Sequence, residues 1–196
     1  MPADATGAPL DPAAYLARPS PAAARDLIGC TLLVDGVGGR IVEVEAYGPG
    51  DPASHTWPGR TARNWPMWGP PGHVYVYRSY GIHWLLNLVC ADASAVLVRA
   101  LVPEWGRETI AARRPGVPER DWCRGPGRLG TALGVGPQHD GALLDGGAFQ
   151  LRQREDVPVV VATRRIGITK AVERPWRFVE AGSRYVSSPI GGPSSR

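Results

Sequence analysis

The stretch VYVYRSYGIHWLLNLV, residues 74–89, constrains the fold of this chain more than any other. Apolar and aromatic residues alternate from Val74, the pattern breaks at Ser79-Tyr80-Gly81, and an apolar run resumes from Leu85 to Val89. Alternation with period two marks a strand whose faces meet different surroundings. Two such runs around a short break read as a β-hairpin. The oddity is the tip. Turn tips usually carry small polar residues because they face water, yet Tyr80 stands there.

Further strands frame this hairpin. CTLLVDG and GRIVEVEAYG read as strands around a Gly-rich turn, and SAVLVRALVP, VPVVVATRRIGI and PWRFVEAGSRYVS as later strands. SPAAARDLIG reads as a helix with Ser20 as N-cap and Pro21 in first position. PEWGRETIAARR and GPGRLGTALGV read as two more helices. Residues 1–19 are expected to be a flexible leader, 20–187 one domain and 188–196 a tail. The mixture predicts an α+β domain with a mainly antiparallel sheet. Residues 48–73 hold many Gly, Pro and Trp without periodicity, and loops that long inside a domain are often functional.

Composition excludes several classes. There is no run of about eighteen apolar residues to span a membrane, and no basic segment followed by an apolar one at the start. Cys30, Cys90 and Cys123 lack CxxC spacing and are expected to be reduced thiols in a cytosol. The four histidines stand far apart, which gives a zinc site little support. A net charge of +4 and a pI near 9.2 suit an anionic partner. Lys170 is the only lysine; the remaining cations are arginines, whose planar fork suits phosphate.

Three groups could carry chemistry. In IVEVEAY, a strand places Glu43, Glu45 and Tyr47 on one face. That face is either a polar pocket wall or a water-facing surface, and carboxylates act as general bases when burial raises their pKa. The 48–73 loop offers His55 and the run GRTARN, with Arg60, Thr61, Arg63 and Asn64 as donors for phosphate oxygens. Arg99 interrupts an apolar strand. It lies either on a sheet edge or inside, where a buried charge needs a partner such as Glu45.

The stretch from EVEAYG through GDPASH, GRTARNWPM and GPPGHVYVYRSYG to Asn87 resembles the alkyladenine DNA glycosylases, also called 3-methyladenine or methylpurine DNA glycosylases. VLVRALVP, CRGPGRLGTALGV, RIGI and PWRF match later blocks, so the resemblance covers roughly residues 20–187. It implies a single α+β domain with a curved, mainly antiparallel sheet and surrounding helices, like formyltransferase C-terminal domains. It implies an enzyme that flips alkylated or deaminated purines out of duplex DNA. Strand nicking needs an amine for a Schiff base, and with Lys170 as the only lysine a monofunctional enzyme is expected, a monomer with no metal or cofactor. By position, Glu45 matches the general base and Arg99 the arginine beside it. Tyr47, His55 and Tyr77 match residues that enclose the flipped base, and Asn87 the residue that screens out guanine. Tyr80 matches the wedge that fills the gap, and Ile168 lies where a carbonyl would help hold the water. Arg60, Thr61, Arg63 and Arg128 would hold the DNA backbone. Ile82, His83 and Trp68 stand where the family varies or differs. A non-catalytic nucleic-acid-binding module would need neither Glu45 nor Arg99. A free-nucleoside hydrolase would need no wedge.

Overall fold

The sheet is organised around one long strand. In the computed structural model, which describes residues 7–145 and 147–189, Thr31–Val34 (β1) turns at Asp35-Gly36 into Val37–Tyr47 (β2). Both turn residues have positive φ, +50° and +76°, the backbone that lets a tight hairpin follow strand twist. Val74–Ser79 (β3) and His83–Cys90 (β4) form the expected hairpin, and Ser94–Trp105 (β5) follows. Phe149–Arg152 (β6), Val160–Thr163 (β7) and Arg177–Glu180 (β8) complete the sheet.

Among the described residues the strand order is β3-β4-β5-β2-β1-β6, all antiparallel, with β8 joining β2 beyond β1 and β7 outside β8. β2 is long enough to pair with β1 at residues 37–40 and with β8 at 43–45 along the same edge. Its pairing with β5 slips at Gly38 and on both sides of Glu43. Such bulges bend a strand and increase its twist, and the sheet curves into a half-barrel.

Helices close the apolar side. Ser20–Leu27 (α2) packs Ala23, Ala24 and Leu27 against β2 and β5. Pro126–Leu133 (α4) packs Leu129, Ala132 and Leu133 on β4 and β5, and Arg107–Arg113 (α3) buries Ile110. Gly130 permits the close approach of α4, since a Cβ there would sit 2.0 Å from the Trp84 carbonyl oxygen. None of the described helices is long and apolar enough to cross a membrane.

The structure corrects several expectations. The flexible leader is too long: Pro12–Leu16 forms a helix (α1), capped by the Asp11 carboxylate and anchored by fully buried Leu16. Residues 1–6 of that leader and 190–196 of the tail lie outside the described residues. Ser20 lies inside α2, and its hydroxyl donates to the Tyr47 carbonyl at 2.9 Å, tying helix to strand. β5 runs through Pro103-Glu104-Trp105, which propensity assigned to a helix, because β2 pairs with it to Gly38. Only Val160–Thr163 of the long VPVVVATRRIGI strand is a strand. β6 escaped notice because four residues are too few for a periodic signal.

Candidate active site

The bulge in β2 sits beside its two carboxylates. Both Glu43 and Glu45 are fully buried, so their face of β2 is interior. Arg99, on central β5, is buried between them: its Nε donates to Glu43 Oε1 at 2.9 Å and its Nη1 to Glu45 Oε2 at 3.1 Å. Glu43 also accepts from Arg177 Nε at 2.8 Å, from the Ser187 hydroxyl at 2.7 Å and from the Ser187 backbone N–H. Glu45 accepts from the Tyr47 hydroxyl at 2.8 Å and from the Ile166 backbone N–H at 2.7 Å.

The count of donors separates two residues that look alike in sequence. An ionised carboxylate offers about four acceptor positions. Glu43 has four donors, three on Oε1 and one on Oε2; Glu45 has three, two on Oε2 and one on Oε1, which leaves Oε1 room for a further donor. Burial alone would raise the Glu43 pKa, but Arg99, Arg177 and the Ser187 N–H outweigh it and hold the carboxyl below its ordinary value.

The three residues that bond Glu45, namely Tyr47, Arg99 and Ile166, line a cavity of about 430 Å³ together with His55, Tyr77, Leu97 and Ile168 among others. The His55 and Tyr77 rings meet edge to face at 4.4 Å, and Tyr77 stacks on Tyr75 at 5.5 Å. His55 Nδ1 lies 2.9 Å from the hydroxyl of buried Tyr75. Desolvation against these rings, then the nearby Arg63 charge, lower the His55 pKa, although its outer face is exposed. Burial, then Glu45, pushes Tyr77 up to about 12, and burial raises Tyr47 further. Asn87 lies two residues along β4 from Leu85, which lines the cavity while Asn87 itself does not, and its amide donates to the Tyr75 carbonyl at 3.0 Å.

The rim is built differently. Tyr80, at the hairpin tip, is 91% exposed with φ +50°. The turn closes by Ile82 N–H to the Ser79 carbonyl at 3.1 Å, and Ile82 is itself exposed. The left-handed region is uncommon for a bulky residue and costs about 1–2 kcal/mol. Arg63 lies over the Tyr77 ring at 5.7 Å and lines the cavity. Arg60 is exposed, while Thr61 and Asn64 hold each other in a turn through Thr61 N–H to Asn64 Oδ1 at 2.7 Å. Arg128 extends from the first turn of α4, exposed and 3.9 Å from Asp121. Trp68 and His83 are also exposed.

Sequence reasoning gave Glu43 no separate role and overlooked Arg165 and Arg177. Arg165 forms a fully buried ion pair with Asp51 and lies over the Tyr47 ring at 4.7 Å. Its signal was available: an arginine beside RIGI and an aspartate in GDPASH, two charges without local partners. A larger cleft of about 650 Å³, lined by Arg40, Glu104 and Glu180 among others, lies away from these rings. The three cysteines are free and buried, and desolvation pushes Cys90 and Cys123 up to about 12, which leaves them poor nucleophiles.

A curved antiparallel sheet holding a ring-lined cavity over a buried carboxylate, with an exposed tyrosine at its rim, is the arrangement of a DNA glycosylase. The chain belongs to the methylpurine-DNA glycosylase (MPG) family, whose model matches residues 14–184. A protein of Rhodopseudomonas palustris (strain HaA2) with the provisional name 3-methyladenine DNA glycosylase is 54% identical over 179 residues, 90% of this chain and 89% of its own. Similarly named proteins of Rhizobium meliloti (strain 1021) and Granulibacter bethesdensis are 53% and 50% identical, covering 88% and 100% of this chain and 94% and 93% of theirs. The protein is an enzyme of DNA repair.

Proposed function

We propose that this glycosylase removes alkylated and deaminated purines, of the class of 3-methyladenine, 7-methylguanine, hypoxanthine and ethenoadenine, from double-stranded DNA by flipping the nucleotide into the Glu45 cavity. The observation that carries this reading is that Glu45, with only one donor on Oε1, is held by three residues that line the ring-walled cavity. A base inside a duplex is out of reach, and extrusion costs a few kcal/mol. Stacking on an aromatic ring returns about 1–3 kcal/mol per base, here from Tyr47, Tyr77 and His55. Tyr80 fills the vacated space, since wedges inserted between base steps hold a duplex open. Arg60, Thr61, Arg63 and Arg128 contact flanking phosphates, which fixes register without reading sequence.

The open lone pair of Glu45 takes one proton of a water, with Arg99 and the Ile168 carbonyl orienting it. The water attacks the anomeric carbon as the bond to the base breaks. The carboxylate takes the proton and also stabilises the oxocarbenium-like centre. Glycoside hydrolysis commonly needs a second carboxyl as acid. An alkylated purine already carries positive charge, so one carboxylate suffices. A neutral purine needs help, and His55 supplies it. With the Tyr75 hydroxyl donating to Nδ1, Nε2 carries the proton and donates to an acceptor on the base.

Strand cleavage would require an amine that forms a Schiff base. Lys170 is the only lysine and is exposed outside the cavity lining. The enzyme is therefore monofunctional and leaves an intact abasic strand; it acts as a monomer in the bacterial cytosol, on the nucleoid. Glu45→Gln tests the assignment. It should retain binding to lesion-containing duplex and lose excision, and a near wild-type single-turnover rate would overturn it.

A further inference from the structure

The interior face of β2 carries two carboxylates, and hydrolysis uses one. Glu43 is fully buried, lies outside the cavity lining and is held by four donors. Its link to Glu45 runs through Arg99, which bonds Glu43 with Nε and Glu45 with Nη1. Arg177, on β8, donates to the same Glu43 oxygen as Arg99 and is itself held by the Ser188 carbonyl at 2.7 Å. Glu43, Glu45, Arg99 and Arg177 are all buried, and their charges sum to zero. A buried excess of either sign is expensive.

We propose that Glu43 and Arg177 are positioning residues for hydrolysis: they lock Arg99 in the pose that leaves Glu45 one open acceptor, and they set the charge that Glu45 meets from beyond Arg99. This rests on Glu45 being the base. The groups around Glu45 are Glu43 and Tyr47 on β2, Arg99 on β5, Arg177 on β8, Tyr77 on β3, Arg165 and the Ile166 N–H on the 164–168 loop, and Asp51 of the 48–73 loop, paired with Arg165. Of these charges, Glu43 and Arg177 make no hydrogen bond to Glu45 and are not themselves among the cavity-lining residues. Their influence is electrostatic and through Arg99.

The charge argument makes opposite predictions for the two residues. Glu43→Gln leaves a buried excess of one positive charge, which disfavours a proton on Glu45. The acidic limb of single-turnover excision then moves to lower pH, by about one unit for charges at this separation. Arg177→Gln leaves one negative charge and moves the limb to higher pH by a similar amount. The double variant restores neutrality and brings the limb back. A purely structural role would lower the rate equally at every pH and leave all limbs in place.

The test is a pH–rate profile on a duplex with one 7-methylguanine, whose own charge removes the need for an acid. Circular dichroism melts and lesion-duplex binding serve as controls, and Glu45→Gln runs in parallel. Opposite shifts that cancel in the double variant support the proposal. Unmoved limbs, or shifts of the same sign, overturn it. If Glu45→Gln stays active, the base assignment has failed; if it is dead and the limbs are unmoved, only the positioning role has failed. Should the single variants not fold, Glu43→Asp carries the test. It keeps the charge and shortens the reach, so the rate should fall about tenfold or more from misplaced Arg99 with the limb unmoved. An unchanged rate or a shifted limb would overturn the proposal.

Discussion

The floor of the cavity and the tip of the β3–β4 hairpin invert the usual burial rule in opposite directions. At the floor, Glu43, Glu45, Arg99 and Arg177 lie in the interior, where charged residues are almost never found unless paired. At the tip, Tyr80 and Ile82 project into water, where they bury nothing. The two places bear different costs. The floor costs desolvation, offset by ion pairs and by four donors to Glu43. The tip costs backbone strain and exposed apolar area, with no compensating contact in the free protein. Strain of this kind persists where it serves a function. The floor is therefore tied to the folded state's stability, whereas the tip is not, as expected of the proposed wedge.

This contrast can be broken at several points. The largest effect should come from Glu45→Gln: removing a general base lowers the rate by about 10²–10⁴-fold, read as single-turnover excision with lesion binding retained. Arg99→Met should come next, and should act on stability as well. Leaving two carboxylates buried without their shared cation costs about 3–5 kcal/mol, seen as a melting temperature lower by roughly 10 °C. A melt equal to wild type would mean that the floor does not stabilise the fold.

Tyr80→Gly should do the reverse. Losing the wedge returns a few kcal/mol to the stacked duplex, so excision from paired hypoxanthine falls by about 10–100-fold. Glycine adopts positive φ without strain, so the melting temperature does not fall. The activity penalty should shrink on single-stranded DNA or opposite an abasic site. Equal loss on every substrate would instead indicate a direct contact between Tyr80 and the reacting nucleotide.

Acid separates the two regions more gently. The Glu43 carboxyl is held below its ordinary value near 4.5, so its contribution to stability is fully present above that pH and is lost as pH falls through the folded-state value. Urea midpoints should drop on acidification below 4.5, less steeply in Glu43→Gln, while Tyr80→Gly should follow the wild-type slope. The smallest effect is expected at Asn87. Asn87→Ser should lower the ratio of hypoxanthine to guanine excision by several-fold, because removing the amide relieves a clash with the 2-amino group of guanine; a change of one methylene-sized group in a pocket is worth about 1–3 kcal/mol at most. An unchanged ratio would remove Asn87 from the discriminating surface.

Much of this was legible along the chain. Period-two alternation places Glu43, Glu45 and Tyr47 on one face and defines the hairpin that presents Tyr80, because strand geometry depends on local backbone alone. The order of motifs carries the family. What local pattern could not decide was which way the β2 face points. An isolated EVE reads equally as a wetted strand or a pocket wall, and only β5 and β8, from residues 94–105 and 177–180, turn it inward. The distinction between the two glutamates is likewise tertiary. It depends on four donors from β5, β8 and Ser187 converging on Glu43, while Glu45 receives three from β2, β5 and Ile166. Hydrogen bonds between residues more than a hundred positions apart leave no periodic trace in a sequence. The residue types and their order determined that this chain could carry a base, a ring-lined cavity and a wedge. The packing of distant segments decided which carboxylate sits among the cavity-lining residues, because that depends on which donors reach it in space.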